Sequence, residues 1–519
     1  MGKQIVLNKD RDRIEIYFPY DPAMVAKVKG IPDRQYKPLI RGKFWTVPAS
    51  PYHAELSLSL FKADGFSIDP AIKTLAKQVK PAPASITVPN KKKLYPFQAE
   101  GVKMLSAMGG RAIIGDQCGL GKTIEALTYA KYLGDKVRQV VVVAPASVLF
   151  SWVNECKTWL DDSWDVEVVL SGKEQLPKAR VLIMSYDIAT IRYHDIIHLR
   201  PDLLIMDEAT RIKGYKAQRT RAFKQYVIGV PFVLFLSATP FLNRPQELWN
   251  MLHTADPVVW NKEFDFYFRY CGMKKNSFGG WDMTGATNQE ELAKRLHGVM
   301  IRRLKKDVLD QLPALRRVIL PVRIDMKEYK KAKEGRPGNP LAWLNELRQI
   351  VGRGKVPVAL EWAEDFLEGG DEKLVIYAHH HDVVNALELG LAKYGVVSVT
   401  GLVTDAKERN RRVEAFQNNK SPRVMIISSA GGEGINLYQA SSLLFVEREW
   451  NPAAEEQAEG RLHRIGQNNA VVVYYLAASG TMDAQLAKLV EEKRKVFHEI
   501  IGDADIETLV RTQLLEVMK

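Results

Sequence analysis

The sequence predicts an α/β protein with two parallel-sheet lobes in tandem, preceded by a small α+β domain. From residue 94 onward, short β-branched runs alternate with amphipathic helical patterns, which is the order that builds parallel sheets. The runs form two consecutive sets of five. An aromatic and basic stretch without strand rhythm, residues 255–340, separates the two sets. We therefore expect two lobes of similar design.

Each element follows from its periodicity. Residues 1–75 form the small domain, because Ile14, Ile16 and Phe18 alternate with Glu15 and Tyr17 as in a strand. Prolines punctuate residues 76–93, which are expected to be a linker. In lobe one, residues 94–315, the predicted strands are 112–115, 139–144, 181–185, 203–207 and 232–237. In lobe two, residues 316–500, they are 373–378, 396–400, 424–428, 443–446 and 471–476, and a helical tail is expected at 501–519.

The composition excludes several classes of protein. Of the 519 residues, 46% are hydrophobic and 26% are charged, as in ordinary folded domains. The apolar runs fall far short of the ~18 residues that cross a membrane, and the first residues show no secretory pattern. Three cysteines without C-x-x-C spacing indicate neither a disulfide framework nor a zinc site. We expect a cytoplasmic protein with no membrane partner.

Positive charge is concentrated at the N-terminal end. Residues 1–93 hold 17 basic and 8 acidic side chains, whereas the remaining chain accounts for only a small part of the net charge of +13. A concentrated basic region favours a polyanionic partner, because nucleic acid releases counterions when it binds. A solvated basic surface is the alternative.

A glycine loop follows the first predicted strand of lobe one. It spans residues 116–123 and contains Asp116, Gly119, Leu120, Gly121, Lys122 and Thr123, with a helical pattern after it. Strand, glycine loop and helix form a phosphate cradle, in which Lys122 would reach the β- and γ-phosphates and Thr123 would ligate Mg²⁺. Asp116 stands where the strict phosphate-loop pattern has its first glycine.

Two adjacent carboxylates end another strand of the same lobe. Asp207 and Glu208 follow the apolar run 203–206, so they should lie at the carboxyl edge of the sheet and face the loop. Asp207 would hold Mg²⁺ and Glu208 would polarise the attacking water. A solvated strand end is the alternative reading of the pair on its own.

Two arginines in lobe two lie one helical turn apart. Arg461 and Arg464 would both reach the γ-phosphate as arginine fingers if the second lobe packs across from the first. A basic surface helix is the alternative.

These motifs, with others in the same order, resemble a known family. Residues 116–123 resemble D-E-M-G-L-G-K-T, and residues 207–213 resemble D-E-A-H-R-I-K. The further motifs are Ser237-Ala238-Thr239-Pro240, Gly431-Gly432-Glu433-Gly434-Ile435-Asn436-Leu437, Trp450-Asn451-Pro452 and His463-Arg464-Ile465-Gly466-Gln467. Residues 94–495 are thus similar to the Swi/Snf branch of superfamily-two helicases, the DNA-dependent ATPases that translocate on duplex DNA. The resemblance implies two RecA-like lobes with Mg²⁺-ATP between them.

The resemblance also implies roles for individual residues. Gln98 matches the adenine-reading glutamine, Gly434 a loop near ATP, and Gln457 a nucleotide-facing residue grouped with the catalytic ones. Expected DNA contacts in the two lobes are Ser147, Trp152, Ser237, Thr239, Gly432 and Asn436. The chain departs from the family at Gln117, Cys118 and Thr210, and its Ser-Ala-Thr motif is shared with strand-separating helicases.

The first 75 residues resemble, over fewer positions, the HARP domain that precedes the motor in annealing helicases. The match includes Arg34, Lys43 and Trp45, which combine charge for phosphates with a ring that can stack on an exposed base. The resemblance implies recognition of junctions between single and double strands. Simple packing of Trp45 in the core of the small domain is the alternative.

The sequence therefore predicts an ATP-driven translocase on double-stranded DNA that remodels forks or anneals strands in repair or recombination. ATP and Mg²⁺ are its expected cofactors, and we expect a monomeric motor of bacterial or phage origin, or a nuclear one if the source is eukaryotic. A strand-separating DNA or RNA helicase is the alternative enzyme. A nucleic-acid-binding scaffold without catalysis is the alternative of another class.

Overall fold

The structure is a computed structural model. It describes residues 2–9, 13–29, 31, 34–37, 44–49, 51–77, 93–212, 217–238, 245–275, 280–283, 285–308, 312–335, 339–403, 405–429, 431–432 and 434–497. Lys43, Thr239, most of the predicted linker and the whole predicted tail lie outside these residues.

The N-terminal domain is the predicted small α+β unit. Its mixed sheet has the order β3-β4-β2-β1-β5. The strands are β1 Gln4–Leu7, β2 Arg13–Tyr17, β3 Gln35–Lys37, β4 Phe44–Pro48 and β5 Ser67–Ile68, and the helices are α1 Pro22–Lys29, α2 Pro51–Phe61 and α3 Pro70–Lys77. The alternating residues Ile14 and Ile16 are fully buried in its core, as their periodicity predicts. Helix α3 extends two residues into the predicted linker.

Lobe one is a seven-stranded sheet in the order β14-β6-β11-β10-β7-β9-β8, with every neighbouring pair parallel. The strands are β6 Arg111–Ile114, β7 Val140–Ala144, β8 Val166–Val169, β9 Val181–Ser185, β10 Leu203–Asp207, β11 Phe232–Leu236 and β14 Met300–Ile301. A hairpin, β12 Lys274–Lys275 with β13 Trp281–Asp282, lies outside this sheet. The helices are α4 Pro96–Ala107, α5 Lys122–Leu133, α6 Leu149–Trp159, α7 Tyr186–Ile191, α8 Tyr193–Leu199, α9 Gln218–Tyr226, α10 Pro245–Ala255, α11 Glu263–Tyr270, α12 Gln289–Leu296 and α13 Lys305–Val308.

Lobe two is a six-stranded parallel sheet in the order β15-β20-β19-β16-β18-β17. The strands are β15 Leu315–Val322, β16 Leu374–Tyr377, β17 Val396–Val399, β18 Val424–Ile427, β19 Ser442–Phe445 and β20 Val471–Ala478. The helices are α14 Lys327–Glu334, α15 Pro340–Glu368, α16 His381–Gly390, α17 Ala406–Asn418, α18 Pro452–Leu462 and α19 Met482–Phe497. The two tandem parallel-sheet lobes confirm the predicted fold class.

Both faces of each lobe sheet are buried. In β10, Leu204 and Met206 pack into one core and Leu203 and Ile205 into the other, because successive side chains of a strand point to opposite faces. Helices cover both faces, which explains the continuous apolar runs of the central strands. None of the described helices combines the length and the apolar character needed to cross a membrane.

The strand order places the candidate site. Strands β6, β11 and β10 are neighbours and run parallel, so the segments that follow them meet at one edge of the sheet. Those segments carry the glycine loop, Ser237 and the Asp207–Glu208 pair. Ligands of open parallel sheets bind at this carboxyl edge.

Candidate nucleotide site

The glycine loop joins β6 to α5 and is held in backbone conformations that suit glycine. Gly119 and Gly121 have φ of 90° and 87°, and a Cβ added at Gly121 would lie 2.5 Å from Gln98 Nε2. Helix α5 begins at Lys122, so its free N–H groups and the positive end of its dipole face the loop. Lys122 Nζ donates a 2.8 Å hydrogen bond to the carbonyl oxygen of Asp116. Thr123 is the second residue of the helix and is half-buried.

The side chain of Gln98 connects α4 to this loop. Its Oε1 accepts a hydrogen bond from Tyr95 N at 3.1 Å, and its Nε2 donates to the carbonyl oxygen of Leu120 at 3.1 Å. The Leu120 side chain is fully buried, so its contribution to the loop is through its backbone. An adenine-reading role for Gln98 stays a prediction.

Asp116 has a different role from the one that the loop pattern predicts. Its carboxylate is fully buried and accepts hydrogen bonds from Arg303 Nε at 3.0 and 3.2 Å and from Arg303 N at 2.8 Å. Arg303 also contacts the carbonyl oxygen of Phe97 and bonds Glu125 on α5 at 2.5 Å. Because its carboxylate is enclosed by Arg303, the prediction that Asp116 lines the phosphate cradle is wrong for its side chain. The carboxylate instead anchors an arginine that joins the loop, α4 and α5.

Glu125 is the third charged member of this cluster. Burial raises its pKa to about 8, although the charge of Arg303 acts in the opposite direction. The sequence patterns did not reveal this role of Arg303, because its two carboxylate partners lie more than 170 positions away in the chain.

The predicted carboxylate pair lies at the end of β10. Asp207 Oδ1 accepts a 2.9 Å hydrogen bond from Glu208 N, and Asp207 Oδ2 accepts one of 2.9 Å from Trp152 Nε1. Burial raises the pKa of Asp207, while Trp152, Lys122 and Arg461 are among the groups that lower it. Glu208 has φ of 47°, a left-handed conformation that non-glycine residues adopt at a cost and that is frequent at functional sites.

Trp152 is therefore not the DNA contact that the family resemblance implies. Its side chain is only 2% exposed, and its indole N–H is bonded to Asp207. A large ring on the buried face of α6 packs into the core of lobe one, which leaves it no surface for a DNA backbone. The structure makes Trp152 a positioning residue for Asp207.

Lobe two brings its two arginines to the glycine loop. Arg461 lies in the last turn of α18 and Arg464 just after the helix ends. Burial alone would raise the pKa of the Cys118 thiol, yet its pKa is lowered because Arg461, Lys122, Lys305 and Arg464 surround it. A Cβ added at Gly460 would lie 3.2 Å from Cys118 Sγ, so α18 packs closely against the loop. The arrangement fits the predicted arginine fingers.

Lys305 is a further bridge between the lobes that the sequence did not reveal. Its backbone N donates to Gln117 Oε1 at 2.8 Å, and its Nζ donates to the carbonyl oxygen of His463 at 2.5 Å. Burial lowers its pKa to about 8. Lys305 matches no local sequence pattern, because its role depends on its contact with the His463 segment of lobe two.

Among the other predicted site residues of lobe two, Gly434, Asn436 and Gln457 are half-buried and Gly432 is buried. Asn436 Oδ1 accepts a hydrogen bond from Arg464 Nη1, and Gln457 is half-buried on α18. Gly434 packs on Val148 of lobe one, since an added Cβ would lie 1.6 Å from Val148 Cγ1. Gly432 is buried and its N–H donates to the Ser428 carbonyl oxygen at 2.7 Å, and a DNA contact by Gly432 stays a prediction.

Two predicted DNA contacts of lobe one also differ in exposure. Ser237 is fully buried after β11, so it is not a direct DNA contact. Ser147 is half-buried in the short turn 146–148, and its DNA role stays a prediction.

The residues present fit ATP and Mg²⁺. Gly119 and Gly121 give the loop the positive φ angles that it needs, and Lys122 and the start of α5 supply positive potential for phosphates. Thr123 and Asp207 supply a hydroxyl and a carboxylate, the oxygen donors that Mg²⁺ prefers.

Comparison with known proteins decides the family. The "SWI/SNF-related matrix-associated actin-dependent regulator of chromatin subfamily A-like protein 1 homolog" of Caenorhabditis elegans is 32% identical over 533 residues, covering 96% of this chain and 75% of that protein. The chain belongs to the SNF2 family. Residues 97–347 of this SNF2 protein match the SNF2-related domain, and residues 359–466 match the helicase conserved C-terminal domain.

Other members of the SNF2 family are longer. The Bos taurus protein with the corresponding name is 34% identical over 430 residues, and the Mus musculus "DNA annealing helicase and endonuclease ZRANB3" is 28% identical over 432 residues. Both alignments cover 78% of this SNF2 chain but only 44% and 40% of those proteins. The alignment with the "Sulfolobus solfataricus SWI2/SNF2 ATPase core in complex with dsDNA" covers 84% of this chain and 97% of that one, at 21% identity and a TM-score of 0.41. The predicted Swi/Snf resemblance is confirmed, and the HARP resemblance stays a prediction.

Proposed function

We propose that this chain is an ATP-dependent translocase on double-stranded DNA, and that it remodels forks or anneals strands in repair or recombination. The observation that carries the proposal is the close packing of the Arg461–Arg464 segment of lobe two on the glycine loop, where a Cβ added at Gly119 would lie 3.0 Å from Arg464 Cβ and one at Gly460 would lie 3.2 Å from Cys118 Sγ. Groups from both lobes would meet one nucleotide, so hydrolysis would change how the lobes are held together. Membership of the SNF2 family, which includes a protein named as an annealing helicase, supports the choice of substrate.

The geometry supports a division of labour in phosphoryl transfer to water. The N-terminus of α5 and Lys122 would bind the phosphates, with Lys122 exchanging its bond to the Asp116 carbonyl for one to a phosphate oxygen. Thr123 and Asp207 would hold Mg²⁺, which supplies neutralisation of phosphate charge. Glu208 would orient the attacking water, and Arg461 and Arg464 would stabilise the charge that develops.

We also propose that the protein acts as a monomer on duplex DNA or on junctions between single and double strands. Its basic N-terminal region supports a polyanionic partner, because that region holds 17 basic against 8 acidic side chains. In a bacterial or phage-infected cell the site of action is the cytoplasm, and in a eukaryote it is the nucleus.

Steady-state ATP hydrolysis tests the proposal. The rate is measured without nucleic acid and with linear duplex DNA, forked DNA, single-stranded DNA or RNA, and displacement of a triplex-forming strand reports translocation. We expect stimulation by duplex or forked DNA that Lys122→Ala abolishes. Stimulation by RNA or single strands alone would favour the strand-separating helicase, and absence of hydrolysis on every substrate would favour the scaffold.

A further inference from the structure

A second cavity lies where the N-terminal domain faces lobe one, away from the nucleotide site. Its volume is about 410 Å³, within the range of roughly 300–1,000 Å³ that is typical of ligand-binding clefts. Lys29, Arg34 and Trp45 line it from the N-terminal domain, and α10, α11 and their neighbours line it from lobe one. We call this space the interdomain cleft.

Cations outnumber carboxylates in the lining of the interdomain cleft, although Arg269 is paired with Glu291 behind the lining and Arg295 is buried. Its lining contains Lys29, Arg34, Lys262, Arg269 and Arg295, against a single carboxylate, that of Asp265. Lys29 and Lys262 are exposed, one from each wall, and Lys262 pairs only loosely with Asp265 at 3.6 Å. This balance suits an anion that reaches both walls, such as a nucleic-acid backbone.

Aromatic side chains line the interdomain cleft beside its cationic side chains. Phe268 is 67% exposed at the cleft, whereas Trp260 and Phe266 are buried in its floor. The Arg295 guanidinium lies 4.1 Å from the Trp260 ring centroid, and Trp45 is half-buried with its ring 4.9 Å from that of Tyr36. An exposed ring beside cations is the arrangement that binds single strands, since every base presents a face that can stack.

We propose that the interdomain cleft binds single-stranded DNA, with a base stacked against Phe268 and the neighbouring phosphates held by Lys29 and Lys262. A cleft of about 410 Å³ has the size of a small-molecule site, so it can enclose one or two nucleotides of a single strand but not a duplex. The inference deepens the proposed function and rests on it, because it assigns the single-stranded arm of a junction to a site built jointly by the N-terminal domain and lobe one.

Binding of a fluorescent oligo-thymidine to the full chain tests whether the Phe268 ring stacks on a base. Phe268→Ala removes an exposed side chain, so the fold is retained, and we expect fluorescence anisotropy to show binding at least about fivefold weaker. Phe264→Ala is the matched control, because Phe264 is 57% exposed on the same helix but does not line the cleft. Equal affinities for the two variants would overturn the proposal.

The salt dependence of binding tests whether Lys29 and Lys262, one on each wall of the cleft, contact phosphates. Lys29→Ala and Lys262→Ala should each reduce the slope of log affinity against log salt by about 0.7, the value for one phosphate contact on a single strand. Lys136→Ala, an exposed lysine elsewhere in lobe one, should leave the slope unchanged. Slopes that respond equally to all three changes would contradict the assignment.

Two further readouts separate this inference from the proposed function. Tighter binding of a uridine RNA than of the DNA oligonucleotide to the unmodified chain would overturn the choice of DNA. Duplex-stimulated hydrolysis by the unmodified chain reports the motor independently. Normal stimulation with no effect of Phe268→Ala on single-strand binding defeats the cleft alone, whereas no stimulation by any DNA defeats the proposed function.

Discussion

Two hydrogen bonds orient the Asp207 carboxylate, one from the Glu208 backbone N–H and one from the indole N–H of Trp152. Trp152 reaches it from α6, at 2.9 Å, from within the core of lobe one. The predicted Mg²⁺ ligand is thus held in part by a residue of the lobe-one core, and its orientation depends on how α6 packs beside β10.

Trp152→Phe should lower kcat about tenfold or more and leave duplex affinity within twofold. The ring still fills the core, but a hydrogen bond to a charged group, worth ~1.5–3 kcal/mol, is lost. Steady-state hydrolysis and a duplex-binding titration measure the two effects. A loss of duplex affinity with unchanged kcat would restore Trp152 as a DNA contact.

Cys118 should be the cysteine that alkylates fastest near neutral pH. Its pKa is lowered by four neighbouring cations despite burial, whereas burial raises the pKa of Cys156 and Cys271 to about 12. The thiolate is the reactive form, so iodoacetamide should modify Cys118 first, and a non-hydrolysable ATP analogue should slow the reaction. Mass spectrometry of peptides measures all three sites in one sample, and similar rates at the three would count against the enclosed loop.

The sequence predicts those residues whose chemistry requires a fixed local pattern. Lys122, Thr123 and the Asp207–Glu208 pair lie where strand, loop and helix order place them. Lys305 and the Asp207-binding role of Trp152 could not be predicted, because each depends on a partner more than 50 positions away. The role of the Asp116 side chain could not be predicted, because the pattern gives its place in the loop but not the arginine that encloses its carboxylate.

At the scale of elements, every central strand of the two lobe sheets was predicted, but of the four edge strands only β17 was. All ten predicted strands are present, with bounds shifted by at most two residues. In these two sheets the sequence missed β8, β14 and β15, and each of them is an edge strand. Strand β15 is mostly exposed and contains Arg316, Arg317 and Pro321, so it lacks the apolar run that marks a buried parallel strand.

The contact between α5 and Arg303 should make stability depend on pH. Because burial raises the folded pKa of Glu125 to about 8, the folded state retains a proton that the unfolded state loses above its ordinary value of 4.5. Stability from this group is therefore full below pH 4.5 and falls as the pH rises to about 8.

Glu125→Gln removes that titration and keeps a hydrogen-bond acceptor for Arg303. We expect the melting temperature of the variant to rise relative to the unmodified protein between pH 5 and pH 8. Calorimetry at four pH values measures the difference, and parallel profiles would show that Glu125 is ionised throughout.

At the scale of the whole molecule, the two lobes touch through a position that tolerates no side chain. Gly434→Ala would place a methyl group 1.6 Å from Val148 Cγ1 at a φ of 71°. We expect lost hydrolysis, because the lobes can no longer approach, with each lobe still folded by circular dichroism. Gly298→Ala, where an added Cβ meets no atom within 4 Å, should retain full activity. Normal hydrolysis by Gly434→Ala would contradict closure at this contact.

The residues that line the interdomain cleft come from the N-terminal domain and lobe one, whereas the nucleotide site is shared with lobe two. If lobe two moves against lobe one during the proposed cycle, both walls of the interdomain cleft would stay in place. A strand held there would be tethered to a stationary frame, and only the moving arm would advance along the duplex. Each step of the motor would then move duplex toward the bound single strand. Two separated strands would be brought close together, which favours their annealing.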